Sequence, residues 1–124
     1  KRRSCSQITF RPGFVDDNVI PAYFAAADVA VFPFRRITTS GSLVLAISYD
    51  MPVIAPRYPG LEWVLRDASD GLYDPDAGPS GLQNKLLQVL QASGTSHNQT
   101  ALRAARKKLN WDDIARCTIA TLRN

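Results

Sequence analysis

Residues 28–55 have the sequence DVAVFPFRRITTSGSLVLAISYDMPVIA, in which two short apolar runs enclose a polar loop and a helical pattern. The runs Val29 to Phe32 and Val53 to Ala55 are apolar at every position. Strands of this kind are typical of a parallel sheet that helices cover on both faces. Ser40-Gly41-Ser42 opens a helix between them, and its predicted buried stripe is Leu43, Val44, Ala46 and Ile47. The order strand, loop, helix, strand predicts a right-handed crossover in an α/β domain.

The flanking sequence continues this alternation. Upstream, Gln7 to Phe10 alternates polar and apolar residues, which predicts a strand. A helix with Pro21 in its first turn follows, and its cap is expected among residues 16–18. The downstream pattern predicts a short helix at 61–65, an edge strand at 72–73, a loop at 74–81, a break at 93–97, and helices marked by Leu82 to Leu90, Ala101 to Leu109 and Trp111 to Leu122.

The predicted fold is a Rossmann-like parallel sheet flanked by helices, as a single domain over residues 1–124. Because the chain opens with a basic stub and then a strand, we expect this domain to be a piece of a larger one. The 45% hydrophobic content suits one core. No apolar run approaches the roughly 20 residues of a membrane-spanning helix. Cys5 and Cys117 lack metal-ligand spacing and are interpreted as thiols of a cytoplasmic protein.

The formal net charge is +4, and the basic residues are spread along the chain. A solvated basic face, an anionic membrane surface, a diphosphate ligand and nucleic acid are the alternatives for this charge. The solvated basic face is the favoured one, and we expect no nucleic-acid partner.

Three loops are expected at the carboxyl edge of the sheet, where ligands bind in open α/β folds. They are residues 11–15, 34–42 and 56–60. The middle loop joins a buried strand to a helix through Thr38-Thr39-Ser40-Gly41-Ser42, just after Arg35 and Arg36. Small hydroxylated residues at a helix N-terminus expose N–H groups that suit phosphate. The alternative is that Ser40 or Thr39 only caps the helix.

Several stretches together resemble one known family. They are residues 8–15 (ITFRPGFV), residues 22–33 (AYFAAADVAVFP, similar to Y-x-A-A-D-V-x-V-x-P), residues 50–55 (DMPVIA, similar to G-x-P-V-I-A), residues 60–64 with 70–73 (GLEWV and DGLY), and residues 110–115 (NWDDIA, similar to a closing W-x-x-x-A). In this order and spacing they resemble the C-terminal, donor-binding domain of GT-B glycosyltransferases of the family 4, or group 1, type.

The resemblance implies a site for a nucleotide sugar. Its diphosphate would lie against the middle loop and the following helix, at Arg35, Thr38, Thr39, Ser40, Gly41, Ser42 and Leu43. Gly13, Phe14 and Val15 would border the base. The two glutamates that family members usually have fall on Ile37 and Leu45, so both are missing, as in a subgroup where a T-S-G turn replaces the first. Glu62 is either a further donor contact or a surface residue paired with Arg66.

The implied activity is hexosyl transfer from a nucleotide-diphospho-sugar to an acceptor glycan or lipid-linked saccharide. An N-terminal domain of the parent chain would bind the acceptor, so these residues alone are expected to be inactive. No metal or other cofactor is expected. The expected location is the cytoplasm, with peripheral contact to an anionic inner-membrane face. The rival interpretation is a non-catalytic interaction module that kept the fold and lost the glutamates.

Overall fold

Three short parallel strands form the sheet. The computed structural model describes residues 8–66, 68–92 and 96–122. Strands β1 (Ala30–Val31), β2 (Val53–Pro56) and β3 (Leu72–Tyr73) lie in the order β1-β2-β3. Ala30 pairs with Val53, and Ala55 pairs with Leu72. The predicted α/β class with a Rossmann-like parallel sheet is therefore confirmed.

Helices connect and cover these strands. The described residues contain α1 (Ile20–Ala26), α2 (Gly41–Ser48), α3 (Pro59–Val64), α4 (Gly78–Ala92), α5 (Ser96–Lys108) and α6 (Trp111–Leu122), with 3₁₀ turns at Ser69–Gly71 and Pro75–Ala77. Helix α2 joins β1 to β2, and α3 lies between β2 and β3. Parallel neighbours need crossover connections of this kind.

The central strand contributes to both layers of the core. Val53 and Ala55 pack in a cluster with residues of α2, α3 and α5, whereas Ile54 packs with Tyr73 of β3 and Val89 of α4. This division follows from the pleat, which points successive side chains to opposite faces. The predicted stripe of α2 is largely confirmed, since Leu43, Ala46 and Ile47 are fully buried and Val44 is half-buried.

The predicted strand before Pro12 is wrong for the residues that the structure describes. Residues 8–10 have no regular secondary structure, and Ile8 and Phe10 are 75% and 83% exposed. Alternation alone does not make a strand, because its N–H and C=O groups need a neighbouring strand as partner. Gln7 and Cys5 lie outside the described residues.

Three helix starts also differ from prediction. No side chain caps α1, whose N-cap is Val19, because Asp16 Oδ1 accepts a hydrogen bond from Asn18 N–H at 2.9 Å in the preceding turn. The predicted loop at 74–81 is shorter, because Gly78 adopts φ +58° and the chain enters α4 there, with Pro79 in the first turn. The predicted break at 93–97 gives way to α5 at Ser96, and residues 93–95 lie outside the described residues.

Strand β1 is less buried than its apolar sequence predicts. Val31 is 38% exposed and Ala30 is half-buried, whereas all four residues of β2 are buried. The difference arises because β1 is an edge of the described sheet, while β2 has a neighbour on each side.

The last two helices differ in burial. In α5, Leu102 and Ala105 are buried as predicted. Helix α6 is exposed throughout, including its free thiol Cys117. Among the residues described, none of the helices combines the length and apolarity needed to cross a bilayer.

Candidate functional site

The loops that follow the three strands lie at one edge of the sheet, because the strands are parallel. They comprise residues 32–40 after β1, Arg57 and Tyr58 after β2, and residues 74–77 after β3. The first two are in direct contact, since Tyr58 Oη donates a hydrogen bond of 2.6 Å to the backbone oxygen of Arg35. This is the edge at which open α/β sheets bind ligands.

The N-terminus of α2 lies at this edge and has unused donors. Ser40 is the N-cap, and its Oγ accepts a hydrogen bond from Leu43 N–H at 3.1 Å and lies 3.0 Å from Ser42 Oγ. The backbone oxygen of Ser40 accepts a hydrogen bond of 3.1 Å from the Val44 N–H. Within the described chain, no acceptor is bonded to the N–H groups of Gly41 and Ser42. These two amides are therefore free to bind an anion.

The glycine at the start of α2 faces open space. A Cβ added at Gly41 would meet no atom within 4 Å. Leu43, in contrast, supplies no free donor in this arrangement, because its amide is used in the cap and its side chain is fully buried. The predicted donor-binding residues of the turn and helix thus divide into exposed positions, Thr38, Thr39, Gly41 and Ser42, and two buried ones, the cap Ser40 and Leu43.

Cationic side chains lie just before this turn. Arg35 and Arg36 are exposed, and neither forms an ion pair with any other described residue. They line a cleft of about 510 Å³ with Ile37, Thr38 and Tyr58. No carboxylate lines this cleft, so an anion there would meet positive charge only.

An adjoining aromatic cleft shares Arg35 and Tyr58. It has a volume of about 390 Å³ and is also lined by Phe34, Tyr73 and Leu82. Burial, and next the neighbouring Tyr58, raise the pKa of Tyr73 above its ordinary 10.0, so its hydroxyl keeps its proton to a higher pH than an exposed tyrosine does. The sequence interpretation missed both tyrosines. The available signal was their place at the ligand edge, since Tyr73 is the last residue of β3 and Tyr58 lies two residues after β2.

Glu62 forms an ion pair, although its partner is Arg57 and not Arg66, the partner in one of the two alternatives. The Arg57 Nη1–Glu62 Oε1 distance is 2.7 Å, and both side chains are about half exposed. Arg57 is favoured because its backbone N–H donates to Tyr73 oxygen at 2.8 Å, which fixes it beside the first turn of α3. Such an exposed pair adds at most about 1 kcal/mol to stability.

The loop predicted to border the base lies beside α1. Gly13 adopts φ +119° and Phe14 is 93% exposed. Val15 shares a cleft of about 780 Å³ with Leu45 of α2 and residues of α1. No hydrogen bond in the described chain connects residues 13–15 to residues 35–43.

The acidic residues of the loop after β3, Asp74 and Asp76, do not take the places of the two missing glutamates. Ile37 is half-buried in the cleft with Arg35, and Leu45 is 37% exposed on α2, so neither place of the missing glutamates is filled by another carboxylate. Among the described residues, no three histidine, cysteine, aspartate or glutamate side chains come together in a metal-binding group.

A comparison with protein families identifies the chain. A family model described as glycosyl transferases group 1 matches residues 2–92. The chain belongs to this family. The match includes the strands, the loop at 32–40 and the N-terminus of α2 in this group 1 glycosyltransferase, and it ends at the last residue of α4. Glycosyl transfer is therefore the class of chemistry that its sequence indicates.

Helices α5 and α6 lie beyond the match, as does the NWDDIA stretch at 110–115. No curated protein and no solved structure was found to match the chain.

Proposed function

We propose that this group 1 glycosyltransferase chain binds the nucleotide-diphospho-sugar donor of a hexosyl transfer reaction, with the diphosphate at the N-terminus of α2. The observation that supports this most is the pair of unused N–H groups on Gly41 and Ser42, at the carboxyl edge of a parallel sheet. Backbone N–H groups and the positive end of the helix dipole favour phosphate oxygens.

The side chains around these amides suit the same ligand. The exposed guanidinium of Arg35 would form charge-assisted hydrogen bonds to the diphosphate. Thr38 and Thr39 have no hydrogen-bond partners elsewhere in the described chain, so their hydroxyl groups remain available to phosphate or sugar oxygens. Gly13, Phe14 and Val15 are proposed to border the base, for which the exposed Phe14 ring offers a stacking face.

These groups have a direct chemical role in glycosyl transfer. When the bond between the anomeric carbon and the diphosphate breaks, negative charge develops on the leaving oxygen. Fixed N–H donors and an arginine aimed at that charge stabilise the transition state more than the ground state. Glu62, which pairs with Arg57 in the first turn of α3, is the carboxylate that we propose contacts the sugar.

The resemblance supplies the remaining parts of the proposal. The acceptor would be a glycan or a lipid-linked saccharide, bound by an N-terminal acceptor domain of the parent chain. The reaction would take place in the cytoplasm, at an anionic membrane face, without a metal ion.

A second function has one observation in its favour. Ile37 and Leu45 are apolar at the two positions where GT-B glycosyltransferases of the group 1 type usually have glutamates. A non-catalytic module that kept the fold would have this feature. Full-length transfer activity distinguishes the two functions, because changes at Gly41 or Ser42 would leave it unaltered if the site were unused.

Isothermal titration of the full-length protein with a panel of UDP- and GDP-sugars tests the proposal. We expect saturable binding of at least one donor, weakened at high salt because charges contribute. Arg35→Ala should weaken it, whereas Arg103→Ala, which removes the same charge from the exposed face of α5, should not. No donor binding by a folded protein would refute the proposal.

A further inference from the structure

The loop between β1 and α2 has few internal constraints. Among the described residues, the one hydrogen bond made by any of residues 35–39 is that from Tyr58 Oη to the backbone oxygen of Arg35, at 2.6 Å. The neighbouring bonds, from Phe34 N–H and to Ser40, lie just outside these five residues. The position of Arg35 therefore depends on a side chain from the next loop.

Tyr58 is itself fixed by backbone bonds on both sides. Its backbone N–H donates a hydrogen bond of 2.9 Å to the backbone oxygen of Pro56. Its backbone oxygen accepts one of 2.8 Å from the N–H of Glu62, since Tyr58 is the N-cap of α3. The preceding Arg57 N–H donates to Tyr73 oxygen at 2.8 Å and so ties this loop to β3. The phenol ring thus extends from a backbone that the sheet and α3 hold in place.

A second contact lies two residues further along. A Cβ added at Gly60 would come within 1.7 Å of Thr38 oxygen, so the first turn of α3 touches the loop backbone directly. Only a residue without a side chain allows this approach. Residues 58 and 60 together support the loop at Arg35 and at Thr38, where the turn that leads into α2 begins.

We infer that Tyr58 is a positioning residue for donor binding, acting through the backbone of Arg35. The inference rests on the proposed function. By fixing the loop before the ligand arrives, the Tyr58 hydroxyl reduces the entropy lost when Arg35 and the Thr38–Ser42 turn close on a diphosphate. Its effect falls on the binding of the diphosphate group, whatever base the donor has.

Tyr58→Phe tests this in the full-length protein, because it removes one hydroxyl and keeps the ring. The matched control is Tyr49→Phe, whose ring stacks on Phe24 with 4.7 Å between centroids and whose hydroxyl bonds to no described residue. The probes are inorganic pyrophosphate, UDP and GDP. We expect Tyr58→Phe to weaken binding roughly three- to tenfold, because the loop must then be ordered when the ligand binds. The free energy of unfolding should fall by no more than about 1 kcal/mol, as for the loss of one exposed hydrogen bond, so the variant stays folded. Tyr49→Phe should bind like the wild type.

Backbone order parameters of residues 36–39 provide a measurement that needs no ligand. They should fall in Tyr58→Phe and stay unchanged in Tyr49→Phe. If Tyr58→Phe changes neither the binding of the probes nor the order parameters, the inference is overturned. It is also overturned if the order parameters fall equally in Tyr58→Phe and Tyr49→Phe. If the wild type binds none of the probes, the proposed function fails, and the positioning role in binding fails with it. If the wild type binds and Tyr58→Phe binds equally well, only the inference fails.

Discussion

Ser40 Oγ accepts a hydrogen bond from the Leu43 N–H at 3.1 Å, and this cap divides the donors at the start of α2. The amide of Leu43 is used inside the protein, whereas those of Gly41 and Ser42 remain free within the described chain. A capped helix with two free amides is both stable and able to bind an anion. The two interpretations of the hydroxyl-rich turn, as a cap and as a phosphate site, are therefore compatible.

Ser40→Ala should destabilise the protein. The loss of an N-cap side chain typically costs about 1 kcal/mol, and Ser40 is the one buried polar residue of the described core. Urea denaturation measures the free energy of unfolding. Thr39→Ala is the control, since Thr39 is exposed and its change should stay below about 0.5 kcal/mol. Equal effects of the two substitutions would contradict the cap.

Gly41→Ala should separate binding from stability. The new Cβ meets no protein atom within 4 Å, so the free energy of unfolding should stay the same or rise slightly. The methyl group would occupy space beside the two free amides, so we expect pyrophosphate to bind about tenfold more weakly, a change of about 1.4 kcal/mol. Calorimetry and urea denaturation on the same variant measure both quantities. Unaltered binding would place the anion elsewhere.

Gly71→Ala should destabilise the sheet. A Cβ at this position would lie 1.8 Å from the backbone oxygen of Val53, which β2 cannot move without losing its ladder. We expect a loss of more than about 2 kcal/mol, typical of severe overpacking. The Gly41→Ala variant serves as the control for the same substitution in open space. If Gly71→Ala and Gly41→Ala had the same free energy of unfolding, residue 71 would have to lie further from the backbone of β2 than the structure shows.

Tyr73→Phe should change how stability depends on pH in the alkaline range. Burial, and next Tyr58, raise the pKa of Tyr73 above 10.0 in the folded state. The folded state therefore holds this proton more tightly than the unfolded state does. The stabilisation is fully present below pH 10 and is lost as the pH rises through the folded pKa.

The measurement for Tyr73 is the free energy of unfolding of both proteins between about pH 8 and pH 11. The difference between wild type and Tyr73→Phe should be constant up to about pH 10, after which the wild type should lose stability relative to the variant. Parallel curves over the whole range would be inconsistent with a raised pKa.

The region from β1 to β2 could be predicted from the sequence because its signals are local. Val53 to Ala55 is apolar throughout, and Pro52 cannot continue α2. The end of α2 and the start of β2 are therefore both set by neighbouring residues. The turn at Ser40 was predicted for the same reason, since a serine before a helical stripe is a cap.

The errors and the missed contact depend on tertiary interactions, which a local sequence pattern does not show. The alternating residues 8–10 have the pattern of a strand but no partner strand among the described residues. Glu62 has Arg66 at helical spacing, yet pairs with Arg57, whose backbone is bonded to β3. The contact of Tyr58 with Arg35 spans 23 residues, and no periodic pattern signals it.

The central claim is that the amides of Gly41 and Ser42 bind the donor diphosphate. Following backbone amide resonances by NMR while a nucleotide sugar is added tests it most directly. We expect these two resonances to shift the most, with a saturation curve that pyrophosphate reproduces. Saturable binding that leaves both resonances unmoved, while residues elsewhere shift, would contradict the claim.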